Sequence, residues 1–263
     1  MDEADNETDY FPNYATTNTT IPYDITIGGD QVTSENASNI RGTWLKAGKL
    51  YYDAPTNTLT LENAEIKTQA YAILSYTEGL RIELIGENKI FSGRASSLYL
   101  SKKTTITGEG SLNVETTDNC GIFLPGSSLT IEDCTVTTKG KWGVAGNNST
   151  EAGKLLIKNA KLTAEGSNGS ICDMAELTLE GSYIKDPEGA AFDADLFAVA
   201  LGGQIVTEAI NIVPIHDGIT SAEMDTTNAQ SAVYTLSGTK VNTPINKLNK
   251  GIYIVNGKKL IVK

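Results

Sequence analysis

The residues of this chain that could do chemistry are three cysteines, a single histidine, a scatter of carboxylates and a few spaced aromatics. Cys120, Cys134 and Cys172 lack the paired spacing of a zinc site and the density of a disulfide framework. Three free thiols are therefore expected. A lone His216 excludes most histidine-based metal clusters and leaves a Ser/His/Asp triad without support. Among the acids, Asp193 and Asp195 in "FDAD" alternate along the chain and could share a face, the arrangement calcium would need. Asp173 and Asp118 are the next candidates, and no cofactor beyond that calcium is implied. Glu62, Glu132 and Glu180 recur at one place in a repeated phrase and read as solvated surface, with Lys158 interrupting them. Tyr71, Tyr99, Phe123 and Trp142 also recur, and a flat exposed strip of aromatic rings can stack on sugar rings.

Whether any of these residues meet depends on the repeat that carries them. "LTLENAEI" from Leu59, "LTIEDCTV" from Leu129, "LLIKNAKL" from Leu155 and "LTLEGSYI" from Leu177 are versions of one phrase. Its anchors Leu61, Leu84, Ile106, Ile131, Ile157 and Leu179 follow one another at 22 to 26 residues. A second apolar residue follows each anchor, at Ile66, Ile90, Leu112, Val136, Leu162 and Ile184. A third short apolar word precedes each later anchor, centred on Ile73, Leu98, Ile122, Val144 and Ile171. Three short strands per period, without helical spacing, predict a right-handed parallel β-helix in which each repeat is one coil. A leucine-rich repeat has a similar period but places Asn differently and packs a helix or 3₁₀ turn opposite its strand.

Two residues past the anchor stand Asn63, Asp133, Asn159 and Gly181, types that tolerate left-handed backbone in a tight turn. Beside them stand the small residues Ala64, Cys134, Ala160 and Ser182, so Cys134 reads as packing under a turn. If Ile73, Leu98, Ile122, Val144 and Ile171 point inward, then Leu74, Tyr99, Phe123, Ala145 and Cys172 form an outward column that contains no carboxylate. Tyr71 and Trp142 precede the same strand words. Cys120 and Cys172 lie two coils apart, too far for a disulfide.

The expected architecture is all-β, with about six to seven coils over 58–213, the last of them the irregular "FAVALGGQIV". An acidic N-terminal segment (1–21) precedes a β cap (22–57) that covers the first coil's edges. A linker (214–226) leads to a small antiparallel β module (227–263), where Asn256-Gly257 signals a hairpin. A formal charge of −11 argues against a nucleic-acid partner. No apolar run is long enough to span a membrane. The start "MDEADNETDY" carries five acids and no base, unlike a secretory leader, so a leader is expected to have been removed before Met1.

The last 31 residues, "VYTLSGTKVNTPINKLNKGIYIVNGKKLIVK", resemble the C-terminal sorting domain that directs Bacteroidetes proteins through type IX secretion. That resemblance implies a small β-sandwich recognised by secretion machinery. "GKLYYDAPTNTLTLENAEI" and "GLRIELIGENKI" are similar to secreted β-helix proteins of gut Bacteroidetes and Firmicutes, described as carbohydrate-binding or adhesin-like. The acid-rich start resembles the segment after the lipidated cysteine of surface lipoproteins. Together these imply a secreted or outer-membrane surface protein that contacts polysaccharide or a host or cell-surface protein. Pectate-lyase-like enzymes share the architecture, so a polysaccharide lyase or glycosidase is the alternative; a structural envelope spacer is the third.

Overall fold

The computed structural model describes residues 19–147, 153–215, 233–235, 238–241, 247–255 and 258–262. The acidic start, His216, most of "NNSTEAG" and Asn256-Gly257 lie outside them. The chain divides into two units, Met1–Ile215 and His216–Lys263. No helix among the described residues is long and apolar enough to cross a membrane.

The first unit opens with β1 (Pro22–Ile27), β2 (Asp30–Thr33) and β3 (Leu45–Asp53), then winds through three parallel sheets. The first sheet stacks the leading half of β4 (Thr58–Thr68) with β6 (Leu80–Ile85), β9 (Thr104–Thr107), β12 (Ser128–Glu132), β14 (Lys154–Lys158) and β16 (Glu176–Glu180). The second stacks the trailing half of β4 with β7 (Glu87–Ser92), β10 (Ser111–Thr116) and the leading halves of β13 (Thr135–Ala145) and β15 (Lys161–Cys172). The third stacks β5 (Ile73–Ser75), β8 (Leu98–Leu100), β11 (Cys120–Phe123) and the trailing halves of β13 and β15. The result is a parallel β-solenoid of about five turns.

The core follows from the period-2 pattern. Leu59, Ile82, Ile106, Ile131 and Ile157 stack in register and are wholly buried. Each such side chain contributes about 1.5–3 kcal/mol by leaving water. Ile73, Leu98, Ile122, Val144 and Ile171 form the matching column of the third sheet, in the register expected.

Two expectations are corrected. Ile106 pairs with Ile82 rather than Leu84, and Val114, not Leu112, continues the column of Ile66 and Ile90. Ile82 and Leu84 face the same way, so a slip of two residues keeps the apolar face inward and the pattern alone cannot choose between registers. The number of coils is also lower. "FAVALGGQIV" is not a coil: β18 (Ala191–Asp193), β19 (Ala198–Leu201) and β20 (Gln204–Ile205) form an antiparallel sheet of their own. Gly202 and Gly203 turn the β19–β20 hairpin with φ of 61° and 78°, the conformation of a two-residue hairpin loop.

The corner between the first and second sheets is the tightest part of each coil. Asn63, Gly86, Asp133, Asn159 and Gly181 all have φ between 46° and 68° there. The Asn63 Oδ1 accepts from the Glu87 amide of the next coil at 3.3 Å. A Cβ on Gly86 would lie 2.1 Å from that oxygen, and one on Gly181 would lie 2.0 Å from Asn159 Oδ1. A glycine must therefore sit above an asparagine turn. Just inside, Ala64, Asn88, Cys134, Ala160 and Ser182 are buried. Asn88 Oδ1 accepts from the Ala64 amide at 2.8 Å, and Ser182 Oγ from Ala160 at 3.3 Å.

Antiparallel strands cover the ends. β1 pairs with β5, and β3 pairs with β4 through a 3₁₀ turn at Ala54–Thr56. At the far end β21 (Ile210–Pro214) lies antiparallel to β15 and to β17 (Ser182–Asp186), so Ile184 meets Ile212 instead of Leu162. The second unit holds β22 (Val233–Thr235), β23 (Lys240–Val241), β24 (Gly251–Val255) and β25 (Lys258–Val262) in the antiparallel order β23-β22-β24-β25.

Replacing Gly86 with alanine is expected to lower unfolding stability by more than the roughly 1–2 kcal/mol of left-handed backbone strain alone. Adding Asn63→Gly, which removes the oxygen in the way, should recover part of that loss. Equal denaturant midpoints for Gly86→Ala and wild type would refute this account of the corner.

Candidate functional site

The third sheet positions the aromatic residues. Its strands are three or four residues long, and each alternates an inward aliphatic with an outward neighbour. Tyr99 on β8 therefore stands directly beside Leu74 on β5 and Phe123 on β11. Tyr71 precedes β5, and Trp142 lies in β13 opposite Cys120. The rings of Tyr71 and Tyr99 are 5.2 Å apart and those of Tyr99 and Phe123 5.4 Å. Tyr76, which the sequence reading passed over, adds a third contact to Tyr99 at 5.9 Å. Its signal was present: it lies two residues past Leu74, hence on the same outward face.

The strip is not flat. Successive rings meet at 68°, 49° and 65°, because ring quadrupoles favour edge-on over face-to-face contact. Tyr71, Tyr99, Phe123 and Trp142 are half-buried, while Tyr76 is 51 % exposed. Burial, then the neighbouring phenol of Tyr76, pushes the Tyr99 hydroxyl above its ordinary pKa.

Beyond Phe123 the outward column changes character. Ala145 and Cys172 point outward as expected, yet both are buried, in a small cluster with Cys120 and Ala198. Ala198 belongs to the hairpin sheet that the sequence reading took for a coil. Phe123 and Trp142 border this cluster and line a hollow of about 190 Å³ together with Asn147 and Asp173. Asp173 holds a left-handed backbone (φ 54°), and its Oδ2 accepts from the Cys172 thiol at 3.7 Å. The hollow thus combines two aromatic surfaces with a carboxylate and an amide, groups able to stack on a sugar ring and bond its hydroxyls.

The other candidates fall elsewhere. Asp193 Oδ1 accepts from the amides of Asp195 and Leu196 at 2.9 and 3.2 Å, so this carboxylate closes a turn. Among the described residues no group of three or more His, Cys, Asp or Glu could hold a metal ion around it. Glu62 and Glu132 are paired: Glu62 with Lys49 at 2.9 Å, and Glu132 with Lys158 at 3.7 Å and Arg81 at 3.9 Å. Lys139–Glu165 and Lys154–Glu176 are likewise ion pairs between register neighbours. Such exposed pairs are individually weak, but they keep acids of neighbouring strands apart.

All three cysteines are free and buried. Cys134 donates to the Ile106 carbonyl at 3.6 Å, and burial pushes its thiol up to about 12. Burial raises Cys120 to about 11, and burial with the Asp173 charge raises Cys172 further. A thiolate is the reactive form, so none of these is a nucleophile at neutral pH.

Comparison with protein-family models, curated proteins and solved structures returns no match.

A thiol reagent at neutral pH should label the folded chain only as fast as it opens, and label all three cysteines at once in denaturant. In the unfolded chain the thiols ionise near 9, and in the folded chain only from about 11 upward. The thiols' contribution to stability is therefore intact below pH 9 and is lost as pH rises through the folded values. The C120A/C134A/C172A variant should show a shallower fall in denaturant midpoint between pH 9 and 11; an unchanged slope would overturn the assignment.

Proposed function

We propose that this chain is a non-catalytic binding protein of the cell surface or secreted space that takes polysaccharide along the outward face of its third sheet. The observation that carries the reading is the ring ladder Tyr71–Tyr99–Phe123, flanked by exposed Tyr76 and ending in the Trp142 hollow with Asn147 and Asp173. Aromatic faces bind the apolar side of a sugar ring, and the carboxylate and amide at the end accept from and donate to its hydroxyls.

The finer features belong to the same proposal. The coil winds right-handed, the sense that right-twisted strands impose on parallel crossovers. The C-terminal unit serves secretion machinery as a sorting module, in keeping with the resemblance of "VYTLSGTKV" and "KGIYIV" and with its antiparallel strands. A lyase or glycosidase is the weaker alternative. Two-carboxylate catalysis needs acids facing each other across the substrate. Here every carboxylate in a described parallel strand pair lies opposite a lysine or an uncharged residue.

Trp142 supplies a readout. The other tryptophan, Trp44, is buried and donates its indole N–H to Asp30 at 2.7 Å, so its emission should ignore a surface ligand. Titration with plant, host and microbial polysaccharides is expected to change Trp142 emission saturably, and Tyr99→Ala or Phe123→Ala should weaken binding at least about tenfold, the equivalent of 1.4 kcal/mol. Product analysis of the same mixtures should show no cleavage. No binding across the panel would sink the proposal; reducing ends or unsaturated products would replace it with the enzymatic alternative.

A further inference from the structure

Among the described residues, the end rungs of the three parallel sheets have a neighbour on their outer side, with one exception. β3 covers the first rung of the first sheet, β1 covers β5, and β21 covers β15. The last rung of the third sheet is held by backbone bonds from Ser170 to Val206 and from Met174 to Phe197. β16, the last rung of the first sheet, pairs with β14 alone among the described strands. The consequence shows in burial: Leu155 and Ile157 on β14 are wholly buried, whereas Leu177 and Leu179 on β16 are half-buried. These two leucines line a hollow of about 410 Å³ with Tyr183, Ile184 and Phe192. An open parallel edge over apolar side chains is a template for one more strand.

The strand that would fit can be read from the stack. β14 is "KLLIK", and it puts Lys154 beside Glu176, Leu155 beside Leu177, Ile157 beside Leu179 and Lys158 beside Glu180. The open side of β16 offers the same two acids and the same two leucines. The chain contains that pattern once more, in its last five residues, "KLIVK" (259–263). Four of these residues lie in β25, which pairs with β24 alone among the described strands and so is itself an open edge.

We propose that β16 is an assembly edge that receives the terminal strand of a second copy of this chain, in the parallel register that β14 already uses on the other side. Leu260 and Val262 then lie beside Leu177 and Leu179, and the lysines that flank this segment in the sequence match Glu176 and Glu180 in charge. Donor and acceptor are different surfaces, so the contact is head-to-tail and copies add in series or close a ring. This self-association is independent of any saccharide.

The test is sedimentation of the full chain from micromolar to millimolar concentration. The expected result is an average mass that rises reversibly with concentration. E176K/E180K gives up the Lys154–Glu176 pair and is therefore compared below its own thermal melt, where it should shift the association at least about tenfold higher in concentration. Adding K259E/K263E to that variant should restore it, a rescue that a merely structural effect would not give. A wild-type chain that stays monomeric throughout would overturn the proposal, as would association that E176K/E180K leaves unchanged.

Discussion

In-register stacking of one coil on the next is the constraint on which the rest of this structure depends. Each strand of a coil finds its hydrogen-bond partners in the coils before and after it, so a residue's environment is set by the residue one period away. That is why Gly86 over Asn63 and Gly181 over Asn159 form mated pairs: a side chain at one corner occupies the space where a Cβ of the next would fall. It is also why the charges alternate. Glu132, Lys158 and Glu180 occupy one column of adjacent strands, where like charges in direct register would repel.

The same constraint separates what the sequence reveals from what it conceals. Features that repeat with the coil were legible: the three-strand period, the left-handed corner at Asn63, Asp133, Asn159 and Gly181, and the pairing of Tyr99 with Phe123. Features that break the repeat were not. Gly202-Gly203 is a hairpin signal, but beside the apolar "FAVAL" it reads as another coil. Slips of two residues at Ile82 and Val114 preserve the inward face, so only the backbone ladder decides them. Ala145 and Cys172 point outward, as their alternation requires, and are nonetheless buried, because the hairpin strand bearing Ala198 comes from beyond the period.

The two ends of the solenoid manage their edges differently. At the N-terminal end, β1 and β3 run antiparallel to the first coil, which ends parallel addition there. At the C-terminal end β21 runs antiparallel between β15 and β17 and so ends parallel addition to the second sheet, while the sixth rung of the first sheet stays without a cover among the described strands. The half-burial of Leu177 and Leu179 follows from this topology, since their inward geometry is that of Leu155 and Ile157 one rung below.

The aromatic ladder is a further product of stacking. Parallel strands lie about 4.8 Å apart, and ring separations of 5.2 and 5.4 Å between neighbouring coils stay close to that spacing. The rings tilt because edge-on contact between them is favourable, and the tilt half-buries each ring against the next. Tyr99, which touches Tyr71, Tyr76 and Phe123, is thus chiefly a scaffold for the others, while Tyr76 and the Trp142 hollow present the more accessible surfaces. A ligand that repeats along its length can meet such a ladder rung by rung, so weak single contacts add along the solenoid axis rather than concentrating in one deep pocket.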